Sequence, residues 1–260
     1  MDFKRIILIG SGRVATQLGI QLHRQGKSII QVYSRNLQHA ESLAAMIGAV
    51  PIADFSKISR EADLYIMAVS DNAISEVSKF LRLENKTVVH TSGSTPMSVI
   101  GAISSNHGVF YPLQTFTKQK PVDFSKIPFC IEASTEATQS ALFALAGEFS
   151  QNVRYITSQQ RLMLHVAAVF VSNFTNYMYL MGEELLQSAG IPFDILKPLI
   201  AESALKINHL MPHEAQTGPA LRNDEETIKK HLDILQQFPD KEIIYKMLSE
   251  NINQHFNNKE

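Results

Sequence analysis

The stretch Arg5-Ile6-Ile7-Leu8-Ile9-Gly10-Ser11-Gly12-Arg13-Val14-Ala15 decides the fold. It opens as an apolar run of strand length that ends at Gly10. A helical pattern follows at once, with Val14, Leu18 and Leu22 on one face. The join reads G-x-G-x-x-A, a turn suited to a dinucleotide. Gly10 permits the tight turn, Gly12 lets the backbone approach a pyrophosphate, and Ala15 keeps the helix near the strand. The helix start offers free N–H groups and a positive dipole end. Gly10, Ser11, Gly12, Arg13 and Val14 are therefore candidate cofactor contacts.

The second strand, Ser28–Ser34, ends in Ser34-Arg35-Asn36. NAD sites usually place a carboxylate there to take the ribose hydroxyls. A hydroxyl and a guanidinium instead suit a 2′-phosphate, so Ser34 and Arg35 point to NADP. Asn36 is placed to cap a helix over Leu37–Ile47. The apolar run Leu64–Val69 reads as a central parallel strand, and Val69 and Ser70 at its exit should border the cofactor. Asp71 is a candidate helix cap or a direct contact.

Further strands are expected at Val50–Ile52, Thr87–His90, Gly108–Tyr111, Phe129–Ala133 and Val153–Ile156. Ser92 lies at one strand exit, and Pro96 suits the first turn of a following helix. Gln114 and Thr115, beyond Pro112, are free to face a substrate. The alternation predicts an α/β fold, a Rossmann-type doubly wound sheet over residues 1–157.

From Ser158 strand signals vanish, and a separate all-α C-terminal domain is expected over residues 158–260. Its first helix, near Gln159–Ala189, carries His165, Ser172, Asn173, Asn176 and Glu183 at spacings that share a face. Such a stripe is costly unless it is hydrogen-bonded or lines a wet cleft. Asn223 and Glu226 have capping-box spacing at a later helix start, beside Arg222, a candidate anion clamp.

The chain has 260 residues, 45% hydrophobic and 19% charged, enough for a sizeable core. A formal net charge of −1 gives no electrostatic reason to bind nucleic acid or an anionic membrane. Its single cysteine, Cys130, excludes an intramolecular disulfide and sits in an apolar run. No run is long enough to span a bilayer, and the chain starts directly into a strand, so a cytoplasmic location is expected. No metal signature is present; Pro212 interrupts the pair His209 and His213.

The N-terminal half resembles the NADP-binding half of pyrroline-5-carboxylate reductases and the wider 6-phosphogluconate-dehydrogenase-like group. The matching points are the glycine turn, Ser34-Arg35, Ala68-Val69-Ser70-Asp71, Ser92-Gly93 and Tyr111-Pro112. More closely, the whole chain resembles a bacterial family of NADP oxidoreductases that joins a Rossmann-like half to a helical domain of unknown function. Three stretches mark it: Pro112 to Phe116, His165 to Asn173, and Thr217 to Asp224. The resemblance implies fold and cofactor and supplies no substrate. Hydroxyacid dehydrogenases of the wider group place a catalytic lysine on the first interdomain helix, but residues 166–176 contain none. That departure favours an imine or an unusual carbonyl as substrate.

The expected function is hydride transfer between NADP(H) and a small molecule. The catalytic candidates are His165, Asn173, Asn176 and Ser92, and Gln114, Ser172 and Arg222 are candidate substrate contacts. His165 is the titrating group of the stripe near neutral pH. An NADP-binding sensor or scaffold without turnover is the alternative, since fold alone does not make an enzyme. A methyltransferase also starts from a glycine turn, but Ser34-Arg35 stands where it usually carries an acid. The apolar run Val166–Met181 exceeds what one small domain needs to bury, so a homodimer through the helical half is expected.

Overall fold

A computed structural model of the chain describes residues 2–117 and 122–257. They contain eight strands in one sheet: β1 (Arg5–Ile9), β2 (Ser28–Tyr33), β3 (Val50–Ile52), β4 (Leu64–Met67), β5 (Thr87–His90), β6 (His107–Pro112), β7 (Phe129–Ala133) and β8 (Val153–Tyr155). Their order is β3-β2-β1-β4-β5-β6-β7-β8. The first six run parallel. β7 then pairs antiparallel with β6, and β8 pairs parallel with β7.

Alternation along the central strands builds two cores. Ile6 and Leu8 of β1, with Leu64 and Ile66 of β4, pack on one face against helices α1 (Arg13–Arg24), α2 (Leu37–Ile47) and α4 (Glu136–Gly147). Ile7, Ile9, Tyr65 and Met67 pack on the other against α3 (Asp71–Phe80). All of these strand residues are fully buried, as a sheet covered on both faces requires. The Rossmann-type sheet and the helical C-terminal region are those expected.

Two local expectations are corrected. Pro96 does not open an α-helix: it caps a single 3₁₀ turn, Met97–Ile100, before β6 begins. The capping residue near 224 is Asp224, whose carboxylate accepts from the Thr227 N–H at 3.1 Å, while Asn223 takes the left-handed conformation with φ +52°. The expected Asn223–Glu226 box therefore does not form, and Glu226 pairs with Lys230 instead.

The chain divides into two compact units, Met1–Ser172 and Asn173–Glu260. The change of texture near residue 157 precedes this division because α5 (Ser158–Ala168) is tied to the sheet. Its Arg161 is 1% exposed and hydrogen-bonded to β7. A π-helical segment, Val169–Phe174, follows α5 and leads into α6 (Thr175–Ser188). The second unit continues with α7 (Lys197–Lys206), α8 (Pro212–Ala215), α9 (Glu225–Leu235) and α10 (Pro239–Asn257). Lys241 of α10 pairs with Glu184 of α6 at 2.8 Å. Among the described residues no helix is long and apolar enough to cross a membrane. No cluster of three or more His, Cys, Asp or Glu among them could hold a metal.

Candidate functional site

A cleft of about 540 Å³ opens beyond the carboxyl ends of β1, β2 and β4. Gly10, Ser11 and Gly12 form its floor. The two glycines differ in kind. Gly10 has φ +125°, and a Cβ there would collide with the Ala68 carbonyl. Its N–H donates to the Tyr33 carbonyl at 2.8 Å, so the turn is knitted into the sheet. A Cβ on Gly12 would meet nothing within 4 Å. Gly12 therefore keeps open a space that the protein itself does not fill. No side chain caps the start of α1, which leaves its first N–H groups for a ligand.

Ser34 and Arg35 form the wall at the exit of β2, and Val69 and Ser70 the wall at the exit of β4. The Ser11 hydroxyl donates to the Ser34 hydroxyl at 2.9 Å, joining the glycine turn to the exit of β2. Asn36 caps α2 through the Gln38 N–H at 3.0 Å. Arg13 and Val14 lie just past the floor; Val14 packs against the core. Asp71 is not a cap: its carboxylate accepts from the Ser94 hydroxyl. A ring stack completes the cleft, with Tyr33 and Phe55 centroids 4.0 Å apart and Phe55 and Phe80 5.5 Å apart at 4°. Phe80 is 68% exposed at the end of this stack.

A second group of polar atoms gathers past β5 and β6. The Tyr111 hydroxyl approaches His165 Nδ1 to 3.5 Å. Both atoms face Gly93, where a Cβ would stand 2.9 Å from the hydroxyl and 2.8 Å from the imidazole nitrogen. Burial pushes the Tyr111 phenol up to about 12, so it stays protonated across the physiological range. The Ser92 hydroxyl is used inside its own turn, where it accepts from the Ser94 and Thr95 N–H groups at 3.2 and 2.9 Å. His90, beneath it, is fully buried; burial first, then the Arg161 charge, pushes its pKa down to about 4. Its Nδ1 accepts from the Ser92 N–H at 3.2 Å. Its Nε2 has no well-aligned partner; the nearby Pro96 carbonyl favours the protonated ring without outweighing burial.

What holds His165 in place is a buried ion pair absent from the sequence reading. Arg161 donates to Glu132 at 2.6 Å and to the Thr95 carbonyl at 2.6 Å, and Ser158 donates to the same carboxylate at 2.7 Å. Glu132 lies opposite Val109, two residues before Tyr111 on β6. Four helix residues rise about 6 Å, and two strand residues about 6.6 Å. The anchor and the Tyr111–His165 contact are therefore in step along helix and strand.

Of the other candidates, Gln114 is exposed and its side chain accepts from the Thr115 N–H at 2.8 Å. Ser172 meets the Thr115 hydroxyl at 3.2 Å. Asn173, Asn176 and Arg222 belong to the second unit and are exposed there. The π segment spans Ser172 and Asn173, so the α-helical spacing that made one stripe of these residues is not kept. Tyr111 and Arg161 could have been suspected from sequence only as polar residues in apolar surroundings.

Two family models match the chain. Residues 5–93 match "NADP oxidoreductase coenzyme F420-dependent", and residues 127–252 match a domain of unknown function, DUF2520. A candidate NADP oxidoreductase from Bacteroides fragilis is 43% identical over 97% of this chain and 98% of its own, with a TM-score of 0.90. A Thermotoga maritima protein is 19% identical over 96% and 98%, with a TM-score of 0.81. An imine reductase from Myxococcus stipitatus, in complex with NADP+, is 15% identical over 98% and 93%, with a TM-score of 0.63; at that identity the likeness is one of fold. No functionally curated protein matches the chain. A glycine turn with an unfilled floor, a basic strand exit and a whole-length relative lead to one conclusion: the chain belongs to the family of NADP-dependent oxidoreductases that joins a Rossmann domain to the helical domain of unknown function.

Proposed function

We propose that the protein is an NADPH-dependent reductase of a small imine or carbonyl compound. The observation that carries this reading is the cleft itself: an unfilled floor at Gly12, an uncapped helix start, and Ser34 and Arg35 at one wall. These residues fit NADPH. The N–H groups that open α1 would take the pyrophosphate, and Ser34 and Arg35 the 2′-phosphate. The stacked rings ending at Phe80 offer a flat apolar surface to the adenine. Bound there, NADPH supplies the hydride.

The chain's own contribution to chemistry is positioning and proton supply. Tyr111 holds a phenolic proton near Gly93, and His165 Nδ1 stands 3.5 Å from it. Such contacts are often long before a substrate is present. His165 relays a proton to Tyr111, which donates to the reduced nitrogen or oxygen. The exposed apolar residues of the helical unit, among them Phe174, Leu199 and Met211, support a homodimer through that unit.

Calorimetric titration with NADPH and NADH tests the reading. Tight NADPH binding that weakens in Arg35→Ala, with NADH weak throughout, supports it. If neither dinucleotide binds, the reading is wrong.

A further inference from the structure

We propose that His39 is a second cation on the 2′-phosphate side of the cleft, so that the preference for NADPH over NADH weakens as the imidazole loses its proton. This rests on the cofactor reading above and deepens it. Ser34, Arg35, Asn36 and His39 all line the same cleft. Asn36, the cap of α2, and His39 are three positions apart and so share one face of its first turn. Arg35 carries a permanent charge, whereas an imidazole changes charge between about pH 5 and 8.

The charged surroundings isolate that change. Glu76 of α3 is the carboxylate among the described cleft walls. Tyr33 also lines the cleft and feels the charges of Arg35 and Asp54. On α2 itself Glu41 is exposed and is not a cleft wall. Helix α1, packed on α2, carries Arg13, His23 and Arg24, none of which lines the cleft. His23 lines a different depression beside Gly48, past the other end of α2. β3 brings no charged residue.

The sign is diagnostic. A phosphate monoester loses its second proton near about pH 6, so the ligand becomes more anionic as pH rises. That change alone would strengthen binding to Arg35. Loss of the imidazole charge has the opposite effect. NADPH and NADH share every other group, so the ratio of their dissociation constants cancels the contacts that do not involve the 2′-phosphate.

Calorimetry on the full chain with both dinucleotides, at about pH 6.5 and about pH 8.5, measures that ratio. The preference for NADPH should fall roughly threefold to fivefold between the two, the size of one exposed ion pair. In His39→Gln it should not fall. In His39→Lys it should persist at the higher pH. A wild-type ratio that does not fall, or a fall that survives in His39→Gln, overturns the role of His39 and leaves the cofactor reading standing. Wild-type protein that binds NADPH at neither pH overturns both.

Discussion

The buried Arg161 guanidinium and the Glu132 carboxylate meet at 2.6 Å, one helical turn before His165 reaches Tyr111. The pair is the joint between α5 and the sheet. Arg161→Met would leave Glu132, whose side chain is 18% exposed, without its cation. The expected cost is about 3 kcal/mol, and the double variant Arg161→Met with Glu132→Leu should recover part of it. Urea denaturation of the two variants against wild type measures both.

Gly10 and Gly12 should separate folding from binding. Gly10→Ala places a methyl group against the Ala68 carbonyl at φ +125°, and is expected to cost about 3 kcal/mol or more of stability. Gly12→Ala meets nothing in the protein. It should leave the unfolding midpoint unchanged and weaken NADPH binding roughly tenfold or more, equivalent to about 1.4 kcal/mol. Equal losses of stability in both variants would contradict the distinction.

His90 predicts an acid-sensitive fold. Its pKa lies near about 4 in the folded chain, below the ordinary 6.5. The unfolded chain therefore binds more protons between those values, and stability falls as pH drops through that window. The full effect is about 3 kcal/mol, reached near pH 4. His90→Asn keeps an acceptor for the Ser92 N–H and should flatten the slope between pH 6.5 and about 4. The carboxylates of Asp54, Asp123 and Asp224, held low mainly by hydrogen bonds, act below that window. Denaturation curves at several pH values distinguish the two groups.

Tyr111→Phe removes the proposed donor and keeps the ring. With a cyclic imine and saturating NADPH, the single-turnover rate should fall about a hundredfold while NADPH affinity is unchanged. A rate unchanged by this substitution would remove Tyr111 from the chemistry.

Phe80→Ala should weaken NADPH and NADH by the same factor, roughly fivefold, because stacking acts on the shared adenine. Unequal losses would place the ring elsewhere.

The sheet was legible because its signals are local. β4 is a bare apolar run, and the glycine turn contains its own strand exit and helix start. Ser34 and Arg35 fell in the cleft because the exit of β2 follows from that frame. The polar joints were not legible, since Arg161 and Glu132 are 29 residues apart and Tyr111 and His165 are 54 apart. Composition says nothing about which distant polar groups meet. The stripe was not legible either, since α-helical spacing breaks at Val169–Phe174, where the hydrogen bonds widen into a π turn. Asn223 and Asp224 are both good capping residues in sequence, and only backbone geometry separates them.

The reversal at β7 and β8 sets a distance. These strands run against the first six, and through the register of Tyr155, Ile131 and Phe110 the end of β8 lies just past the level of His90, the last residue of β5. Helix α5 then starts where Ser158 grips Glu132 and reaches Tyr111 at His165. The helix is thus a measuring rod. One residue inserted between Arg161 and His165 would advance the imidazole by about 1.5 Å and swing it by about 100°. In this architecture the count of residues between anchor and imidazole is as constrained as their identity, and insertions belong before Ser158 or beyond His165.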